Sequence, residues 1–197
     1  MTKDDAAAAI SPNGPTAANP AAGPRVLLLP GWQNSGSNHW QSRWEALPGF
    51  RRVEQDDWLW PRRGDWMARL DEVVQGDDTP VVLVAHSLGC HLVAAWAAHT
   101  RHTARVSAAL LVAPPDPERH DTPPQLYNWR PVVRQRLPFA SLVVASSDDP
   151  YCSLQRAAGL AADWGSAWCL LGAHGHINGD SQLGDWPEGL ALLDSLK

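Results

Sequence analysis

Residues 81–99 read VVLVAHSLGCHLVAAWAAH, and three successive patterns in this stretch decide how the chain is read. Val81, Val82, Leu83, Val84 and Ala85 form an unbroken apolar run of strand length. A corner of small residues around Ser87 and Gly89 follows, and then an apolar pattern with helical spacing over 88–98. An uninterrupted apolar run is what a strand buried on both faces requires, as in a parallel sheet covered by helices. A serine on a sharp strand-to-helix turn stands above the end of that sheet, beside the first free N–H groups of the helix. Such a place suits attack on a carbonyl.

The same alternation recurs outward from this unit. Short apolar runs at 26–29, 50–53, 106–112, 139–145 and 166–171 read as strands. Between and after them, 38–47 (with Asn38 as its cap), 65–74, 154–162 and 186–196 carry helical patterns. Residues 113–138 hold Pro114, Pro115, Pro117, Pro123, Pro124, Pro131 and Pro138 and read as a covering loop with a short helix over 126–135. The pattern predicts an α/β fold: a single-domain three-layer α/β/α sandwich with a mostly parallel sheet and a minimal lid. In such a sheet the segments following each strand gather at one edge, where ligands bind.

At 197 residues the chain has room for one domain with a sizeable core. Residues 25–197 form that domain, and the Ala-, Pro-, Asn- and Gly-rich stretch 1–24 reads as a disordered N-terminal tail. The net charge of −5 supplies no basic patch for nucleic acid or an anionic membrane. Three isolated cysteines, Cys90, Cys152 and Cys169, make no disulfide framework, and Cys169, in an apolar run, reads as a buried hydrophobe. The expected setting is cytoplasmic, and the expected state a monomer or weak homodimer.

Three post-strand segments carry groups a nucleophilic serine needs: Ser87 itself, the run SSDDP at 146–150, and HGHIN at 174–178. A serine hydroxyl holds its proton tightly, so it needs an imidazole in hydrogen-bond reach and a carboxylate behind that imidazole. The chain order Ser…Asp…His is the one used on α/β-hydrolase sheets. The acid is Asp149 or Asp148; the latter can instead bind local backbone N–H groups. His176, on a loop beside Gly175, is favoured as the base over His174. His86 adjoins the serine but points away on a sharp turn, which suits a supporting hydrogen bond. His39, His91, His99, His102 and His120 have weaker cases.

The oxyanion hole needs the N–H of Leu88 and a second N–H from the loop PGWQNSGSNHW at 30–40, with Trp32 preferred to Gln33. The loop lacks the lysine of a phosphate loop. A metal site built from His174, His176, Asp148 and Asp149 would leave the serine turn without a purpose, so no metal or cofactor is expected. Among the 11 tryptophans, Trp60 and Trp129, with Gln33, are the expected substrate-lining residues. The others fill the core and the helix–sheet seams.

Taken together, PGWQNSGSNHW, VAHSLGC (84–90), SSDDPY (146–151) and HGHIN make the chain resemble a family: the compact α/β-hydrolase-fold serine hydrolases of the retinoblastoma-binding protein 9 and YdeN type. The resemblance spans about 25–197. AHSLG departs from the full G-x-S-x-G, with Ala85 in place of the first glycine. The resemblance puts the nucleophile at Ser87, the acid at Asp149 and the base at His176. It implies carboxylesterase-like activity on small esters or activated amides, through an acyl-enzyme. The expected partner is a small-molecule ester or amide substrate. Two rival readings keep the fold and change the function: an acyltransferase, or a non-catalytic binding module.

Overall fold

The computed structural model describes residues 24–196, so the expected tail over 1–24 lies, apart from Pro24, outside the described residues. In chain order the elements are β1 (Arg25–Leu29), α1 (Trp40–Trp44), β2 (Phe50–Arg52), α2 (Arg63–Gln75), β3 (Val81–His86) and α3 (Leu88–His99). They continue with β4 (Val106–Val112), β5 (Ala140–Ala145), α4 (Leu154–Trp164), β6 (Ala167–Leu170) and α5 (Pro187–Asp194). The six strands form one sheet in the order β2-β1-β3-β4-β5-β6, and every neighbouring pair is parallel.

Side chains alternate across the central strands and are apolar on both faces. Leu83, Ala85, Ala109, Leu111 and Val143 pack under α2, α3 and α4 through Leu70, Leu92, Trp96, Leu160 and Trp164. Val82, Val84, Leu110, Val112 and Val144 meet Trp40 and Trp44 of α1 and Leu193 of α5. The result is the expected three-layer sandwich, with α1 and α5 on one face and α2, α3 and α4 on the other. The strand order reverses beside β1, because β2 lies on one side of it and β3 on the other. A reversal of this kind opens a crevice at the carboxyl ends of the two strands, where Gly31 and Ser87 follow.

The structure corrects several local expectations. The first helix is shorter than 38–47, and its cap is His39, whose ring accepts the Gln41 N–H, not Asn38. The helix expected over 126–135 is a 3-10 turn over Pro124–Trp129. Pro131 ends it: the residue before a proline is driven out of the helical region, and Arg130 is extended with ψ of 145°. Cys169 lies on the edge strand β6 and is only partly buried. No described helix is long and apolar enough to cross a membrane.

The cover over 113–138 is tied down. The Asp116 N–H donates to the Tyr151 carbonyl at 3.0 Å, the Arg119 guanidinium to the Pro150 carbonyl, and the Arg130 guanidinium to the Arg119 carbonyl at 2.7 Å. Glu118 pairs with Arg134 and Arg156. The acid-bearing loop after β5 is thereby fixed to the cover.

Candidate active site

Ser87 sits between β3 and α3 with φ 55° and ψ −124°, a backbone conformation that costs a non-glycine residue free energy and is held by its surroundings. Its N–H donates to the Val112 carbonyl at 2.9 Å. Two glycines make room for the turn. A Cβ on Gly89 would lie 2.2 Å from the Leu29 carbonyl oxygen, and one on Gly31 would lie 2.6 Å from the Ser87 Cβ. Ala85, in place of the first glycine of the motif, is fully buried without disturbing the turn.

The loops after β5 and β6 bring their groups to this serine. His176 Nε2 lies 2.8 Å from Ser87 Oγ, and His176 Nδ1 lies 2.9 Å from Asp149 Oδ2 and 3.0 Å from Oδ1. A carboxylate only accepts, so Nδ1 carries the hydrogen and the Nε2 lone pair faces the Ser87 hydroxyl. Asp149 Oδ1 also accepts the Tyr151 N–H at 2.9 Å. Asp148 faces elsewhere: its Oδ1 accepts the Ser146 hydroxyl at 2.7 Å and the Gly175 N–H at 2.8 Å. Those two bonds hold its carboxyl below the usual carboxylate range. The His174 N–H donates to Ser146 Oγ at 2.9 Å, so His174 braces the loop through its main chain.

The groups expected around an oxyanion divide clearly. The Gln33 N–H donates to the Trp58 carbonyl at 3.0 Å, whereas no main-chain hydrogen bond among the described residues uses the N–H of Trp32 or Leu88. A cleft of about 500 Å³ opens over Ser87 and His176. Trp32, Leu88, Pro115, Pro123, Leu126 and Tyr151 form its apolar walls, and Gln33, Asn34, Asn178 and Asp180 lie at its polar side. The Tyr151 ring meets the His176 ring edge-on at 4.6 Å. A larger groove of about 960 Å³ passes Trp60, Arg62 and Tyr127, but Ser87, Asp149 and His176 do not line it.

Two expected lining residues therefore lie away from the serine. Trp60 is exposed beside the larger groove. Trp129 is buried, donates to the Pro61 carbonyl at 2.8 Å and packs against Trp66, so it is core. Sequence reasoning missed what the start of α1 contributes: Trp40 donates to the Ile177 carbonyl and the His39 ring meets the His86 ring, and no local pattern announces contacts across so many residues. Cys152, on the acid loop, is pushed up to about 12, chiefly by burial, and stays protonated. Among the described residues no three or more His, Cys, Asp or Glu are arranged to hold a metal ion.

The model of the serine hydrolase family matches residues 26–195, and the chain belongs to that family. Among solved structures, a protein assigned to the YdeN-like hydrolases of Pectobacterium atrosepticum is 28% identical, with 88% of this chain and 90% of that one covered and a TM-score of 0.77. The ydeN gene product of B. subtilis is 23% identical over 88% of this chain and 98% of its own, with a TM-score of 0.69. Est1E from Butyrivibrio proteoclasticus shares the fold at 12% identity, a TM-score of 0.64 and 90% coverage of both chains. A comparison with curated proteins returns no match. The expected small α/β-hydrolase of YdeN type is the class to which fold and family both lead.

Proposed function

We propose that this hydrolase is carboxylesterase-like and cleaves small esters or activated amides through an acyl-enzyme on Ser87. The observation that carries the reading is the position of His176, whose two ring nitrogens face Ser87 Oγ at 2.8 Å and Asp149 Oδ2 at 2.9 Å. His176 takes the Ser87 proton as Oγ attacks the carbonyl carbon. The N–H groups of Leu88 and Trp32 donate to the oxygen on which negative charge develops. The tetrahedral adduct collapses as His176 passes the proton to the leaving alcohol or amine. Water, deprotonated by His176, then attacks the acyl-enzyme and releases the acid. Asp149 holds the ring in the required tautomer and stabilises its cation in each half.

The cleft supports the substrate class. One side of it is apolar and the other carries uncharged amides and Asp180, the cover is pinned, and its described lining holds no Arg or Lys to receive a substrate carboxylate. That combination favours a small uncharged acyl group over a long lipid chain. The three free cysteines support a reducing, cytoplasmic setting. Covalent capture of Ser87 by a fluorophosphonate, with Ser87→Ala as control, tests the reading.

A further inference from the structure

Two more histidines lie buried against the site. The Gln41 N–H donates to His39 Nδ1 at 3.1 Å, His39 Nε2 lies 3.3 Å from His86 Nδ1, and His86 Nε2 lies 2.9 Å from the His176 carbonyl oxygen. The two ends of this array determine where its hydrogens are. A backbone N–H only donates, so His39 Nδ1 presents its lone pair. A carbonyl only accepts, so His86 Nε2 carries a hydrogen. With both rings neutral, the middle contact is then His39 Nε2–H donating to His86 Nδ1. Each link has one donor and one acceptor.

A further proton on His39 Nδ1 would face the Gln41 N–H, and one on His86 Nδ1 would face the His39 Nε2–H. Burial opposes that proton: it lowers His39 to about 3, with the charges of His176 and Arg52 acting in the same direction. It also holds His86 well below its ordinary value, with His39 and His176 adding to the effect and the bond to the His176 carbonyl opposing it. The array is satisfied only in its neutral form, and the site keeps it neutral.

The array ends at a strained piece of main chain. Ile177, next to His176, has φ of 48°, in the left-handed region that a β-branched residue avoids. Its carbonyl accepts the Trp40 indole N–H at 2.8 Å. Two consecutive carbonyls, those of His176 and Ile177, are thus held from the start of α1, one through His39 and His86 and the other by Trp40. Strained backbone persists where surrounding contacts over-determine it.

We infer that His39 and His86 are positioning residues, a neutral two-imidazole relay that fixes the main chain of His176 so that its ring spans Ser87 and Asp149. The inference rests on the proposed role of His176 as the base. A misplacement of about 1 Å at a reacting group can cost about 10²-fold in rate, and that is the scale on which the relay acts.

Tautomers and kinetics test it together. In protein with ¹⁵N-labelled imidazoles, long-range proton–nitrogen correlations should show His39 and His86 both as Nε2–H, unchanged between about pH 8 and about pH 5.5. An Nδ1–H form of either ring, or titration near the ordinary histidine value, would overturn the relay without any variant being made. His86→Phe keeps a ring and removes the donor, whereas His86→Gln restores a donor toward the His176 carbonyl. With p-nitrophenyl acetate, the Phe variant should lose about 10-fold to 100-fold in kcat with KM nearly unchanged, and the Gln variant should recover most of it. Fluorophosphonate labelling rates should follow the same order. A folded Phe variant that labels as fast as a reactive parent would remove the positioning role alone. A parent inert to the probe would remove the base role of His176, and positioning with it, even if both tautomers are as expected.

Discussion

Asp148 and Asp149 are neighbours whose carboxylates serve different targets. Asp149 meets His176 Nδ1 through both oxygens, at 2.9 and 3.0 Å, while Asp148 binds Ser146 Oγ and the Gly175 N–H. The two residues therefore make separable contributions. Asp149→Asn presents an amide where the ring needs an acceptor, and kcat should fall by about 10³-fold to 10⁴-fold. Asp148→Asn retains a carbonyl oxygen for the same two donors and should cost no more than about 10-fold. Steady-state kinetics on a short acyl ester distinguish them, and a larger loss at Asp148 would reverse the assignment of the acid.

The glycines beside the serine predict a contrast between stability and activity. A methyl on Gly89 would press the Leu29 carbonyl at 2.2 Å, and backbone cannot rotate aside. Gly89→Ala should lower unfolding free energy by about 1–3 kcal/mol, seen as an earlier denaturant midpoint. At Gly31 the new methyl meets the Ser87 side chain itself, at 2.6 Å from Cβ and 3.0 Å from Oγ. Gly31→Ala should reduce fluorophosphonate labelling about 10²-fold in protein that remains folded. Parent-like labelling of that variant would contradict the close packing of the two loops.

Acid should destabilise the fold in a defined window. Burial lowers His39 from 6.5 to about 3 and His91 to about 4, and holds His86 well below 6.5. These rings bind fewer protons folded than unfolded. The stability they contribute is complete above the unfolded value near 6.5 and is lost as pH falls from there toward the folded values. Each ring adds a slope of about 1.4 kcal/mol per pH unit in that window. The urea midpoint should hold steady from about pH 8 to about pH 7 and drop below about pH 6.5. His91→Gln should reduce the slope. A midpoint unchanged down to about pH 5 would contradict the buried neutral histidines.

Trp129 and Trp60 are expected to part company. Trp129 is 1% exposed and anchors the 3-10 turn of the cover against Trp66. Trp129→Ala should cost about 3–5 kcal/mol of stability. Trp60 is 58% exposed, and Trp60→Ala should change stability by no more than about 0.5 kcal/mol and leave preference among short esters as it was. Calorimetry with an ester panel checks both. A large selectivity change at Trp60 would place substrate beyond the cleft over Ser87.

Much of this arrangement is legible in the chain because it depends on local pattern. The Val81–Ala85 run, the Ser87 corner and the post-strand positions of Asp149 and His176 each follow from strand length and small-residue placement. A parallel sheet then brings such segments to one edge. Other features depend on contacts between distant segments. The burial of Trp129 is set by Trp66 in α2, which a proline-rich segment read alone does not reveal. The His39–His86 contact joins residues 47 positions apart, and the helical pattern read over 38–47 does not say what the start of that helix touches. Cys169 looks like core because its run is apolar, yet β6 closes the sheet with no strand on its outer side.

The most direct measurement is intact mass after incubation with a fluorophosphonate probe, for the parent chain, Ser87→Ala and His176→Ala. One adduct is expected on the parent, mapped to Ser87 by peptide analysis. None is expected on Ser87→Ala, and labelling of His176→Ala should be strongly slowed. A folded parent that takes up no probe, or an adduct that persists in Ser87→Ala, would contradict the assignment of Ser87 as the nucleophile.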